Sequence, residues 1–144
     1  VATQESRGEA ESVLSLAEEL LREGKYDLSV INTAYATQLY LRRVLRRLLG
    51  SELRERSIVT LLSTLHLTLR ELGLNELART TYEFIRGNEE LLRRLNEVIT
   101  NPFYEVTLSD RGGAEELLKL AKSLFNILKS IEDAVGFRGG GLPQ

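Results

Sequence analysis

The sequence predicts an all-α protein, an up-and-down helical bundle of about five helices. Three observations carry this. Only two prolines, Pro102 and Pro143, interrupt the 144 residues, so long segments keep every backbone donor a helix needs. Leu, Ala, Glu and Arg dominate, residues that lose little freedom in a helix, while β-branched runs are too few for sheets. Apolar positions recur at threes and fours along most of the chain, the period of a helix with one buried face. No internal repeat of about 20–50 residues marks a solenoid, and the length suits a single domain with a core of its own.

The first helix is expected over Gly8 to Glu23, with Ala10, Val13, Ala17, Leu20 and Leu21 on one face and Gly24 as its stop. Asp27 is placed to cap the second helix, and Gly50 sits just past its far end. From Leu28 to Leu41 this helix carries no charge, so nearly its whole circumference is fit for burial and it belongs at the centre. Beyond Leu41 the pattern divides. Leu41, Val44, Leu45, Leu48 and Leu49 share one arc, and Arg42, Arg43, Arg46 and Arg47 occupy the other, where the bundle should open to solvent. Ser57 caps a third helix running to about Leu72, with Leu61, Leu62, Leu65 and Leu69 inward and Gly73 at its end. Asn75 caps a fourth that continues to about Ile99, bent near Gly87. Asn101-Pro102 ends it, and Asn101 to Gly113 reads as an irregular loop whose Phe103, Tyr104, Val106 and Leu108 dock on the bundle. The last helix spans about Ala114 to Val135, with a seam of Leu117, Ala121, Leu124, Leu128, Ile131 and Val135 at alternating fours and threes, closed by Gly136. The domain is thus expected over residues 8–136, with residues 1–7 and 137–144 as flexible tails.

Composition narrows the chemistry. The absence of Cys removes disulfides, thiol nucleophiles and thiolate zinc sites, and a single His leaves no imidazole cluster for a metal. No cofactor is expected. Basic and acidic residues nearly cancel, 19 against 21, so any attraction for an anion has to be local. No apolar run approaches a membrane span, and a cytoplasmic location is expected. Arg far outnumbers Lys, and Asn and Gln are sparse, a usage that leans toward a heat-adapted source.

The segment LLREGKYDLSVINTAYATQLYLRRVLRRLLG, followed by RSIVTLLSTL, a long helix, a loop with Tyr and a closing helix, resembles the HEPN domain family, particularly its small archaeal and thermophilic members. The resemblance covers about Glu11 to Val135. It rests on the Gly24-Lys25-Tyr26-Asp27 turn, the Ala34-x-x-x-Gln38-Leu39-Tyr40-Leu41 core and the Ser57 opening of the third helix. It implies an up-and-down bundle that is usually a homodimer, is often encoded beside a minimal nucleotidyltransferase, and serves in nucleotide binding, toxin–antitoxin pairs or RNA cleavage. Nuclease members resemble one another in an Arg followed after four to six residues by His near the start of the closing helix. This chain departs there: neither Arg94 nor Arg111 is followed by His at that spacing, and Arg56 stands where many relatives have a His before the Ser. A general acid or base titrating near neutrality is missing from the expected place.

The candidates follow. Arg42, Arg43, Arg46 and Arg47 are the densest basic patch and can hold phosphates through forked donors; the plainer reading is a solvated helix end that favours the dipole. His66, between Leu65 and Leu67, reads as a structural side chain. Arg86, Arg93 and Arg94 sit at helical spacing from Glu89, Glu90 and Glu97, which makes ion pairs their plain account. Tyr35, Ala36, Leu39 and Tyr40 form a second apolar arc, to be covered by the last helix or by a second copy. The expected function is a non-catalytic, dimeric binding module for a nucleotide, RNA or a partner nucleotidyltransferase. The alternatives are a divergent metal-independent ribonuclease using Arg94, Asn101 and Tyr104, and a plain helical adaptor without ligand.

Overall fold

The computed structural model describes residues 2–101 and 110–136, with side chains from residue 8 onward. Six helices follow one another: α1 (Ala2–Arg22), α2 (Tyr26–Leu49), α3 (Ile58–Glu71), α4 (Asn75–Gly87), α5 (Glu89–Thr100) and α6 (Arg111–Val135), with no strand among the described residues. The all-α bundle is as expected, with one helix more.

The extra helix arises at the glycine. Gly87 ends α4, Asn88 turns to φ −134°, and α5 starts at Glu89. The Asn88 side chain donates to the Phe84 carbonyl at 2.8 Å, satisfying an acceptor that a continuous helix would have bonded through its backbone. The weak helix-forming Gly-Asn pair therefore breaks the rod where a bend was expected.

Three boundaries also move. Lys25, not Asp27, occupies the N-cap of α2, and no side chain caps it; Asp27 lies inside the first turn, where its charge still complements the helix dipole. Leu74, not Asn75, precedes α4. α6 begins at Arg111 rather than Ala114, because Asp110 accepts from the Gly113 amide at 2.7 Å and so captures three further residues for the helix. At the other end of the chain α1 begins at Ala2. Ser57 does cap α3, accepting from Thr60 N at 3.1 Å, and Gly50 closes α2 in the left-handed region, its amide bonded to Arg46 O.

α2 is the central rod and packs against α1, α3, α5 and α6. Leu41, Val44 and Leu45 from it meet Leu61, Leu62 and Leu65 of α3, Leu95 of α5, and Leu124, Leu128 and Ile131 of α6 in one core of buried residues. Each fully buried leucine contributes roughly 1.5–3 kcal/mol over its exposed state. Small polar residues let α1 approach α2 closely. Ser29 Oγ donates to the Ala17 carbonyl at 2.8 Å, and Thr33 and Thr37 bond back to carbonyls one turn earlier, so none is buried unsatisfied.

Burial of α2 is not circumferential. Leu28 is 48% exposed, Ile31 38% and Tyr35 44%, and with half-buried Leu39 they line one side of the helix at spacings of three and four. The second apolar arc thereby splits: Ala36 and Tyr40 are buried, the latter against Phe125 of α6, while Tyr35 faces out.

Candidate functional site: a split arginine cluster on the central helix

The four arginines near the end of α2 do not act as one patch. At about 100° per residue the four span a wide arc of the helix, and the core claims Arg43 from it. Its side chain is 5% exposed and is held by two carboxylates. Its Nη1 and Nη2 donate to the Glu11 oxygens at 3.2 and 3.1 Å, in the forked geometry that suits a carboxylate. Nε and Nη2 reach Glu132 of α6 at 3.2 and 3.3 Å. The guanidinium carbon also sits 4.0 Å from the centroid of the Tyr40 ring, within cation–π range. The solvent-facing arc expected from periodicity is thus corrected at Arg43, which points into the seam between α1, α2 and α6.

Tyr40 completes this network. Its hydroxyl donates to Glu132 at 2.7 Å, and its ring stands edge-on to Phe125 with centroids 4.7 Å apart. Burial, and then the hydrogen bond and charge of Glu132, push the phenol well above its usual range. Burial alone would lower the Arg43 guanidinium, but its bond to Glu11 and the charges of Glu132 and Glu11 outweigh it and hold the group above its ordinary value. Both stay in their neutral-pH forms over the whole physiological range, which suits a fixed clasp and not a proton carrier.

Arg42 and Arg46 remain on the outer side. Arg42 Nε donates to the Glu55 carbonyl at 3.1 Å, and Arg46 pairs with Glu52 at 3.5 Å. With Glu9, Leu39 and Leu53 they line a cleft of about 160 Å³ that Arg43 closes from within. Arg47 lies half-buried on another side of the helix. The phosphate-binding candidates are therefore Arg42 and Arg46 foremost, each already holding a local acceptor.

Gln38, from the core motif, donates through Nε2 to the Arg56 carbonyl at 2.8 Å, which pins the α2–α3 connector just before the Ser57 cap. Asn96 of α5 was not legible as part of this assembly. Its Oδ1 accepts from Ile58 N at 2.6 Å, Ser57 Oγ at 3.2 Å and Val59 N at 3.3 Å, so the start of α3 is capped from a helix 38 residues away.

On α4 and α5, Arg93 pairs with Glu90 at 2.5 Å and with Glu97, and Arg86 with Glu89 at 3.6 Å, as helical spacing predicts. The Arg93 bond lowers the Glu90 carboxyl from its usual value. Arg94 behaves differently and crosses to Glu116 of α6 at 3.7 Å. Its Nη2 lies so near Gly113 that a β-carbon there would stand 3.0 Å away, so glycine opens the start of α6 to this side chain. Asn101 is exposed at the end of α5; Tyr104, with Phe103, Val106 and Leu108, lies outside the described residues, as does the 137–144 tail. His66 of α3 rests against Tyr82 of α4 with ring centroids 5.3 Å apart. No cluster of three or more potential metal ligands occurs among the described residues. No described helix is long and apolar enough to cross a membrane.

The family model of the HEPN domain matches residues 3–131. No curated protein and no solved structure matches the chain. The match spans α1 through all but the last turn of α6, including Gln38, whose hydrogen bond ties α2 to the connector before α3, and Ser57, which caps α3. With most of its length covered by that model and its helices arranged as described, the chain belongs to the HEPN domain family.

Proposed function

We propose that the chain is a non-catalytic, self-associating HEPN module that binds its partner without transforming it, in the manner of toxin–antitoxin regulation. Its partners in this reading are a second copy and either a minimal nucleotidyltransferase or a nucleotide or RNA held at the Arg42 and Arg46 cleft. The observation that supports it is the apolar side of α2. Leu28, Ile31 and Tyr35 are exposed on a helix otherwise committed to the core, and exposed Leu16 of α1 lies two helical turns from Glu9, which borders the same cleft as Leu39. An exposed apolar strip that ends at two arginines, Arg42 and Arg46, has the composition of an interface, and a surface that meets its own copy about a twofold axis needs no other protein to cover it.

Mass in solution tests the reading. Light scattering should give twice the 16.3 kDa of the chain, and Ile31→Glu with Tyr35→Glu should give the monomer. A wild-type monomer, or a double variant still dimeric, overturns it.

A second reading has its own observation: His66 shares a shallow depression with Arg70 and Arg79, an imidazole for proton transfer beside two cations for a phosphate, groups that metal-independent cleavage of RNA can use. Incubation with RNA in the presence of a chelator decides. Cleavage lost in His66→Ala would place catalysis on α3 and α4, whereas cleavage lost in Arg94→Ala would place it where α5 meets α6.

A further inference from the structure

The depression between α3 and α4 brings a histidine and two arginines together. His66 and Arg70 of α3 face Asn75, Ala78, Arg79 and Tyr82 of α4 across an open cavity of about 410 Å³. On α3, His66 and Arg70 are one turn apart; on α4, Asn75, Ala78, Arg79 and Tyr82 follow at threes and fours, so each helix turns one continuous strip toward the other. Arg70 and Arg79 have no carboxylate partner among the described residues. This contrasts with Arg43, Arg46, Arg86, Arg93 and Arg94, each of which has one. In a chain with a net charge of −2, two guanidiniums with no carboxylate within ion-pair distance border a small apolar floor here. The floor is Ala78, buried, beside the Tyr82 ring, which is 46% exposed.

We infer that this depression docks an acidic segment of another protein, one that presents carboxylates to Arg70 and Arg79 beside an apolar side chain seated on Ala78 and Tyr82. The inference does not depend on self-association through α2. Charge complementarity selects the carboxylates: a guanidinium fork binds a carboxylate with two parallel bonds, and two forks about one helix pair suit two acidic residues at helical spacing. The surface favours peptide over nucleic acid. Phosphates held by the two guanidiniums would leave the apolar floor of Ala78 and Tyr82 uncovered, whereas a peptide covers both.

His66 is the only histidine in the chain, so its imidazole proton resonances report occupancy of this depression without further assignment. The probe is a peptide with Glu and Leu at helical spacing, titrated into the full chain alongside a Lys and Leu counterpart and an oligouridylate. The acidic peptide should shift the His66 resonances saturably, and the Lys peptide should not. Arg70→Glu with Arg79→Glu should weaken the acidic peptide by about tenfold or more, while Arg42→Glu with Arg46→Glu leaves it unchanged. No saturable shift with the acidic peptide, or an undiminished one in the Arg70 and Arg79 variant, overturns the inference. A shift produced by oligouridylate alone overturns it in favour of a nucleic-acid surface. Both substituted pairs lie on the outside of the bundle, and circular dichroism confirms that each variant is folded before titration.

Discussion

Arg43 of α2 grips Glu132 of α6 across 89 residues of sequence, Nε to Oε2 at 3.2 Å, with the arginine 5% and the glutamate 12% exposed. Glu11 of α1, at 46% exposure, closes the other side of the same guanidinium. A buried pair contributes little compared with a well-packed apolar replacement, but removing one partner strands the other charge. Arg43→Ala should therefore destabilise the fold by about 3 kcal/mol or more, measured by urea denaturation. Glu11→Gln, at a half-exposed site screened by solvent, should cost under about 1 kcal/mol. Glu132→Gln falls between. A reversed order would show that α1, and not α6, is the member the clasp holds.

Tyr40 makes the bundle sensitive to alkali. Burial and Glu132 raise its folded-state pKa far above the ordinary phenol value near 10. Above pH 10 the unfolded chain releases this proton while the folded chain keeps it, so the unfolded state binds fewer protons and stability falls as pH rises. The stabilisation is fully present below pH 10 and is lost at up to about 1.4 kcal/mol per pH unit above it. Tyr40→Phe should flatten this limb, while itself costing about 1.5 kcal/mol at pH 7 for the lost bond to a charged acceptor. Urea denaturation followed by circular dichroism between pH 8 and 11 measures both; an unchanged alkaline limb in Tyr40→Phe assigns it to other groups.

What was legible in the sequence was local. Ser57 at the start of α3 and Gly50 at the end of α2 act through residues three or four positions away, so their roles follow from spacing alone. The seam of α6 from Leu117 to Ile131 is buried as its period predicts. Failures came where a distant group decides. Periodicity put Arg43 with Arg42 and Arg46, because nothing in α2 announces that Glu11 and Glu132 converge on it. A chargeless run is fit for burial on nearly every side, yet absence of charge permits burial without requiring it, and Ile31 and Tyr35 stay exposed. The break at Asn88 lies between: Gly87 signalled weakness, and packing of α5 against α2 and α3 decided that the weakness became a turn.

Asn96 offers a test of a cap supplied across the bundle. Its carbonyl oxygen takes three donors at the start of α3, two of them backbone amides that helix geometry leaves without a partner. Asn96→Leu keeps the volume but removes the acceptor, and should cost about 1–2 kcal/mol. Asn96→Asp keeps the acceptor and adds a negative charge beside the positive end of α3, so it should be neutral or stabilising at pH 7. Equal losses in the two variants would mean that packing of the side chain, and not its oxygen, matters. Amide hydrogen exchange of Ile58 and Val59, faster in Asn96→Leu than in Asn96→Asp, would locate the effect at this helix start.

If the Arg42 and Arg46 cleft holds phosphates, its own ion pair competes with the ligand. Arg46 is bound to Glu52, whose side chain is 74% exposed, and Arg42 to a backbone carbonyl that no substitution removes. Glu52→Gln should therefore strengthen binding of an oligouridylate, since Arg46 is released without disturbing the core, and Arg42→Glu with Arg46→Glu should weaken it while leaving a residual affinity that can be followed. The salt dependence carries the sharper statement. Two phosphate contacts on a single strand contribute about 1.4 to the slope of log affinity against log salt, so the double variant should flatten that slope by about this amount. Glu52→Gln should leave the slope the same or steepen it. Fluorescence anisotropy between 50 and 200 mM salt, about the range over which such contacts are felt, measures all three proteins. Identical slopes in the wild type and the double variant would place any bound RNA elsewhere on the surface.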